Sequence, residues 1–186
     1  MVKGFEFIAF FHENADVAAN HSAMLPFTRN VFDPMGFTPV CLHEIPDIER
    51  KTTDGFELAL AVLFQSGIQN FAETPYGISF ILDFAVAFLK DVPVTWDDTK
   101  FLKGFPGQLV ILARKADDKL YIGGINGESF EKIINLDLSA LGKGLEGIMI
   151  TDDKEKQTLE LKEIKDSDNL DEIKIAGNGG FVMVLR

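Results

Sequence analysis

The sequence predicts an α+β chain in which a strongly apolar, mainly helical region precedes an antiparallel β-sandwich. Three observations predict it. Thirteen of the 17 phenylalanines fall before residue 96 and four after it. The hydrophobic period changes there from helical to alternating. Two prolines and an acidic cluster in DVPVTWDDTKF, residues 91–101, end a helical pattern and mark a seam. The predicted domains are therefore 1–95 and 96–186.

Taken in order, Phe5 to Phe11 reads as a strand. Four prolines between residues 26 and 47 then make a long irregular connection. TDGFELALAVLFQSGIQNFA, residues 53–72, reads as a helix with Thr53 or Asp54 as N-cap and Glu57 as capping-box partner. Its apolar residues wrap nearly all round, whereas an ordinary surface helix shows a polar face. Such a helix needs covering on several sides, as in a barrel where a sheet and neighbouring helices enclose it. Residues 1–95 therefore read as a piece of something larger. A second helix is expected over 78–90, with Phe80, Ile81, Phe84, Ala85 and Phe88 as its stripe and Asp83, Lys90 and Asp91 outward.

Beyond the seam, short β-branched runs recur at 108–115, 119–126, 131–139, 145–152, 157–164 and 180–186, with 171–176 as a further candidate. Asp117-Asp118 and Asn126-Gly127 sit between runs as hairpin turns. In QTLELKEI, Leu159, Leu161 and Ile164 nearly share one face. Turns every 8 to 12 residues fit a β-sandwich.

A formal net charge of −11 excludes a surface built for nucleic acid, which needs clustered Lys and Arg. The first 95 residues carry −7 of it. No apolar run approaches the ~18 residues of a membrane span. FIAFF, flanked by Glu6 and Glu13, is too short for a secretory leader. The one cysteine, Cys41, reads as buried and inert.

Glu6 is the most informative polar residue. Among Phe5, Phe7 and Phe10 its carboxyl would be desolvated, its pKa raised, and so suited to general-acid work. By strand alternation it can equally point outward. Glycosidases pair two carboxyl groups; Glu13, Asp16, Asp33 and Glu44 are candidates that linear spacing does not separate. His12, Glu13, Asp16 and His21 match metal ligands by type but not by spacing, and a polar loop explains them as well. GGINGE, residues 123–128, has the glycines of a phosphate loop without its Lys-Ser/Thr ending, and reads as a hairpin. Trp96 could stack on a sugar or simply pack at the seam.

VKGFEF, LPFTRNVFDPMGFTPV, TTDGFELALAVLFQSGIQNFA, FLKDVPVTWDDTKFLKGFPGQLVILARK, LYIGGINGE and LDLSAL are collinear over most of residues 2–141. Together they resemble the C-terminal end of glycoside hydrolase family 97, the α-glucosidase and α-galactosidase family. The resemblance implies the last units of a (β/α)8 barrel over 1–95 and a C-terminal β-domain of oligomerisation type over 96–186.

It also implies site residues. Val2 to Glu6 match the second part of a family pattern E-G/A-V-R-G-x-E, so Glu6 matches the general acid, which also lies by a calcium ion. Lys3 stands where the family has Arg. The pattern's first glutamate, the base or nucleophile and the other calcium ligands are expected upstream of Met1. His21 and Arg29 match a His and the Arg of the P-F-T-R segment, and could border the substrate or brace the barrel. Gly36 replaces an Asp of the family's G-P-M-D-F-T-P.

The implied function is part of a glycoside hydrolase acting on α-glucosides or α-galactosides, inactive alone, with calcium as cofactor of the full enzyme but not stably held here. The alternative is a non-catalytic β-module for oligomerisation or weak carbohydrate contact. Expected partners are an α-glycoside and further copies of the chain, with neither nucleic acid nor membrane. Family members are usually exported, and localisation stays open.

Overall fold

The computed structural model describes residues 12–36, 40–43, 50–153, 158–166, 170 and 172–186, with side chains from residue 15 onward. The strand expected over Phe5 to Phe11 lies outside them. The helical elements are α1 (His12–Met24), a 3-10 turn (Leu25–Phe27), α2 (Arg29–Phe32), α3 (Asp54–Leu63), α4 (Pro75–Ile78) and α5 (Asp83–Asp91). The strands are β1 (Asp98–Phe105), β2 (Leu109–Ala116), β3 (Lys119–Asn126), β4 (Lys132–Ile134), β5 (Gly147–Asp153), β6 (Thr158–Ile164), β7 (Ile173–Ile175) and β8 (Gly180–Leu185).

Six strands form one antiparallel sheet in the order β1-β2-β3-β8-β5-β6, and β4 and β7 pair as a small second sheet. The predominantly antiparallel β architecture is therefore as expected. The β2-β3 hairpin turns at Asp117-Asp118, with Ala116 opposite Lys119 and Asp117 at φ 54°. Asn126-Gly127 is not a hairpin turn. After it β3 takes β8 as its second partner, while the buried Asn126 amide donates to Phe130 O at 2.7 Å and Ala176 O at 3.0 Å. A long-range pairing overrode the local turn signal there.

Both faces of the central strands of the large sheet are covered. On one, Ile111, Ile122, Phe181 and Met183 meet Ile134, Leu138, Ile173 and Ile175 around the small sheet. On the other, Val110, Leu112, Tyr121, Ile125 and Val182 meet α3. This second layer explains why Leu159 and Ile164 are buried in opposite cores, whereas Leu161 is left 46% exposed. It also brings elements from before and after residue 95 into one core.

Helix α3 begins as expected. The Thr53 hydroxyl accepts from Phe56 N at 3.2 Å. Nine of its ten residues are buried, and each large apolar side chain among them contributes about 1.5–3 kcal/mol. The helix stops at Leu63, short of the expected residue 72. Its free carbonyls find side-chain donors there, Gln69 Nε2 on Ala61 O at 3.1 Å and Arg114 Nη2 on Leu63 O at 3.0 Å. Glu57 is no capping-box partner; its carboxylate turns to Thr52 and Cys41.

The glycines of GGINGE serve packing. A Cβ on Gly123 would lie 2.9 Å from Val62 Cβ in α3, and one on Gly124 would lie 2.5 Å from the Phe181 ring. The second helix is shorter than expected. Residues 79–82 break it from α4, leaving Phe80 67% exposed while Ala85 and Phe88 are buried. The seam itself is ordered, since β1 extends to Asp98 within DVPVTWDDTKF.

Candidate functional site

Glu6, the residue expected to act as acid and calcium ligand, lies outside the described residues, as does Glu44. His21 falls in the last turn of α1, and partial burial lowers its imidazole pKa. Arg29 donates through Nη1 to Asp33 O at 3.3 Å and through Nη2 to Pro34 O at 3.2 Å, with the Asp33 carboxylate 4.0 Å away. These bonds hold the turn that leaves α2. Trp96 packs edge-on against Tyr121, ring centroids 5.4 Å apart.

A polar cluster that the sequence did not announce forms under α3. Glu73 receives Leu42 N and faces His43 Nδ1, while the Cys41 thiol donates to His43 O at 3.4 Å. From α3, buried Glu57 accepts from Thr52 Oγ1 at 2.5 Å and Cys41 N at 3.4 Å. Burial raises the Glu57 carboxyl pKa, and Arg50 opposes that rise. Arg50 also contacts Asp54. Burial, then Glu73 and Glu57, push the Cys41 thiol up to about 11. A thiol that stays protonated near neutral pH is a poor nucleophile, as the sequence reading expected.

Ligand atoms of Cys41, His43 and Glu73 lie within 4.8 Å of one another. Sulfur, imidazole and a single carboxylate do not match the six to eight oxygens calcium takes. Calcium therefore does not fit this cluster.

A second site joins α3 to the sheet. Asp152 of β5 accepts from Thr53 Oγ1 at 2.7 Å, Gly55 N at 2.8 Å and Gly180 N at 3.2 Å. Burial raises its carboxyl pKa, while these three donors pull the other way. Here a carboxylate on one strand closes the start of a helix 97 residues away. A Cβ on Gly180 would meet Phe56 Cα at 2.7 Å, so backbones approach closely at this junction.

The third site is a cleft of about 600 Å³ between the segment Pro26 to Val31 and strands β1 and β2. Arg114 lines it, only 3% exposed. Its guanidinium sits over the Trp96 ring at 5.5 Å from the centroid. Nη2 caps Leu63 O, while Nε and Nη1 have no partner. Burial without an offsetting carboxylate lowers its pKa to about 10, still well above neutral, so the cation persists. Sequence reading took Arg114 as part of an apolar strand. The available signal was alternation, since Arg114 shares a face with Val110 and Leu112.

No helix among the described residues is long and apolar enough to cross a membrane.

Comparison with known proteins adds the following. Residues 95–186 match the family model described as glycosyl-hydrolase 97 C-terminal, oligomerisation. A probable retaining α-galactosidase of Streptomyces bingchenggensis is 43% identical over 106 residues, 57% of this chain and 16% of that protein. A retaining α-galactosidase of Bacteroides thetaiotaomicron is 30% identical over 131 residues, 66% of this chain and 20% of that protein. The chain thus spans a fifth or less of these relatives. Among solved structures, a β-arabinopyranosidase superposes with TM-score 0.87 at 32% identity, over 96% of this chain and 29% of that one. A family 97 enzyme from Pseudoalteromonas sp. strain K8, in complex with acarbose, superposes with TM-score 0.80 at 26% identity, over 99% of this chain and 30% of that one.

Proposed function

Because the chain belongs to glycoside hydrolase family 97, as a C-terminal part of one of its enzymes, we propose that it serves hydrolysis of α-galactosides or related α-glycosides. In this reading residues 1–95 supply the last units of the catalytic barrel, and residues 96–186 supply the β-domain that assembles subunits. The α-galactosidase relatives support the sugar class.

One observation carries the barrel part. The segment before residue 95 buries α3 on the sheet yet leaves Phe32 83%, Ile68 71%, Tyr76 74% and Phe80 67% exposed. Apolar surface of this kind is where another body packs, and the rest of a barrel is such a body.

Glu6 would act as general acid. Its carboxylic acid proton passes to the glycosidic oxygen as the C–O bond breaks, while a second carboxylate from outside this chain stabilises or attacks the anomeric carbon. Calcium, where the family uses it, would supply positive charge beside the sugar. Glu6 is the residue of this chain that the family resemblance places beside the ion. Single carboxylates do not preorganise the reaction, so the chain alone is expected to be inactive.

The test is turnover of an aryl α-galactoside and an aryl α-glucoside. No turnover is expected from the chain alone. Turnover is expected when the same residues sit within a complete barrel, and loss of about 10²–10⁴-fold is expected there in Glu6→Gln. Turnover by the chain alone, or an unaffected Glu6→Gln, would overturn the reading. The non-catalytic alternative is favoured by the closed core of the β-domain and by the family description of residues 95–186. Light scattering tests that part, with a dimer or larger assembly expected.

A further inference from the structure

The cleft at Arg114 has features that neither glycoside hydrolysis nor the core explains. It is lined by Asn30, Gln65, Thr99 and Arg114 together with apolar residues, including the edge-on pair Phe27 and Phe101. Among the described residues no Asp or Glu lines it, although the chain carries 29 acidic residues against 18 basic ones. Asn30 also keeps a buried side-chain oxygen without a partner.

A buried cation without a counter-charge is costly. Proteins ordinarily pair such groups, because desolvation of an unpaired charge outweighs what one hydrogen bond returns. The Leu63 carbonyl and the Trp96 face offset part of that cost, but neither carries a negative charge. A buried cation is also screened less by salt than one on the open surface.

We propose that this cleft is a binding site for a carboxylate, held by Arg114 and carried on a compact body that packs against Phe27 and Phe101. Asn30, Gln65 and Thr99 supply hydrogen bonds for hydroxyl or amide groups on that body. A sugar acid has this chemistry, and so does a Glu or Asp side chain projecting from a second copy of the chain. Phe27, Asn30 and Gln65 lie in the region read as barrel, but none of the cleft residues is given a part in the glycosidase chemistry, so carboxylate binding and glycoside turnover are measured independently.

The experiment titrates the purified chain with sodium D-glucuronate and sodium acetate, using D-glucose and sodium chloride as controls at constant ionic strength. Calorimetry and thermal melting report binding, and light scattering reports assembly. Saturable binding of D-glucuronate is expected, with a raised melting temperature, and neither control should reproduce it.

Arg114→Met and Asn30→Asp should each weaken binding about tenfold or more, the first by removing the cation and the second by placing an acid in the cleft. Asn30→Asp keeps the Leu63 cap, so it answers the question even if Arg114→Met does not fold. If the natural occupant is a side chain of a second copy, D-glucuronate dissociates the assembly and Asn30→Asp prevents it. If the occupant is a free acid, assembly is unchanged while binding is lost. The same response to chloride as to the carboxylates, or full affinity in both variants, refutes the site.

Discussion

The two regions of this molecule differ in where they leave apolar residues exposed, at the sheet edges in one and along whole connecting segments in the other. In the sheet region the central strands are covered on both faces, one by α3 and one by the β4-β7 pair, and Phe181, Ile122 and Ile111 reach zero exposure, while the edge strands β1 and β6 leave Phe101, Phe105 and Leu161 exposed. In the helical region α3 is equally sealed, but the segments on either side of it carry Phe32, Ile68, Tyr76 and Phe80 on the surface. The difference teaches that one helix belongs energetically to the sheet, while its chain neighbours face away from that core. Sequence position before residue 95 is not what decides which core a residue joins.

The largest test of that contrast compares two truncations. Leu58→Ala in α3 removes a side chain with no exposure and should cost about 2–5 kcal/mol, lowering the melting transition of the sheet as well. Phe80→Ser, at 67% exposure, should change stability by about 0.5 kcal/mol or less. Equal losses would show that the two regions share one mode of burial.

Next in size is the latch between them. Asp152→Ala leaves Gly55 N, Gly180 N and the Thr53 hydroxyl without their shared acceptor, and chemical denaturation should register a loss of about 1–3 kcal/mol. An unchanged midpoint would mean that α3 is held by apolar contact alone.

The smallest effect is a pH dependence. Glu57 and Asp152 both have carboxyl pKa values raised above their unfolded values, chiefly by burial. The folded state then binds protons more tightly, so stability rises as pH falls through the raised values toward the ordinary carboxylate range near about 4. The exposed Asp91, whose pKa is lowered by Lys119 and Tyr121, works oppositely but only below its ordinary value. His21, lowered by burial, opposes that rise below its own ordinary value, so the contribution of the carboxylates is read in the difference between the parent chain and Glu57→Gln. Melting temperature should therefore climb on acidification from neutral pH before it falls, and Glu57→Gln should flatten the climb. The same pH profile in Glu57→Gln and Asp152→Asn as in the parent chain would remove both carboxylates from the account.

Much of this was legible beforehand. Alternation located seven of the strands within a few residues, except that β4 is shorter than its run, and Thr53 was legible as an N-cap because its signal is local. What misled were signals whose outcome depends on distant residues. Asn126-Gly127 looks like a hairpin turn, yet β8 arrives 54 positions on to pair with β3. Glu57 occupies the capping-box position, yet Thr52 and Cys41 capture it. Glu6 is a candidate acid by resemblance and lies outside the described residues. The clustering of Cys41, His43, Glu57 and Glu73 was not legible, since no spacing marks it.

The sequence by itself determined that residues 109–185 form short alternating strands, that α3 must be buried on most sides, and that the chain resembles a family 97 C-terminal region. These are properties of local period and of collinear motifs. Only the tertiary structure decided what buries α3, where it ends, and that Arg114 is left inside without a counter-charge. The reason is physical. Periodicity says that a face is apolar, but the partner that covers it, and the polar atoms stranded beneath, depend on pairings across 50 to 100 residues of chain.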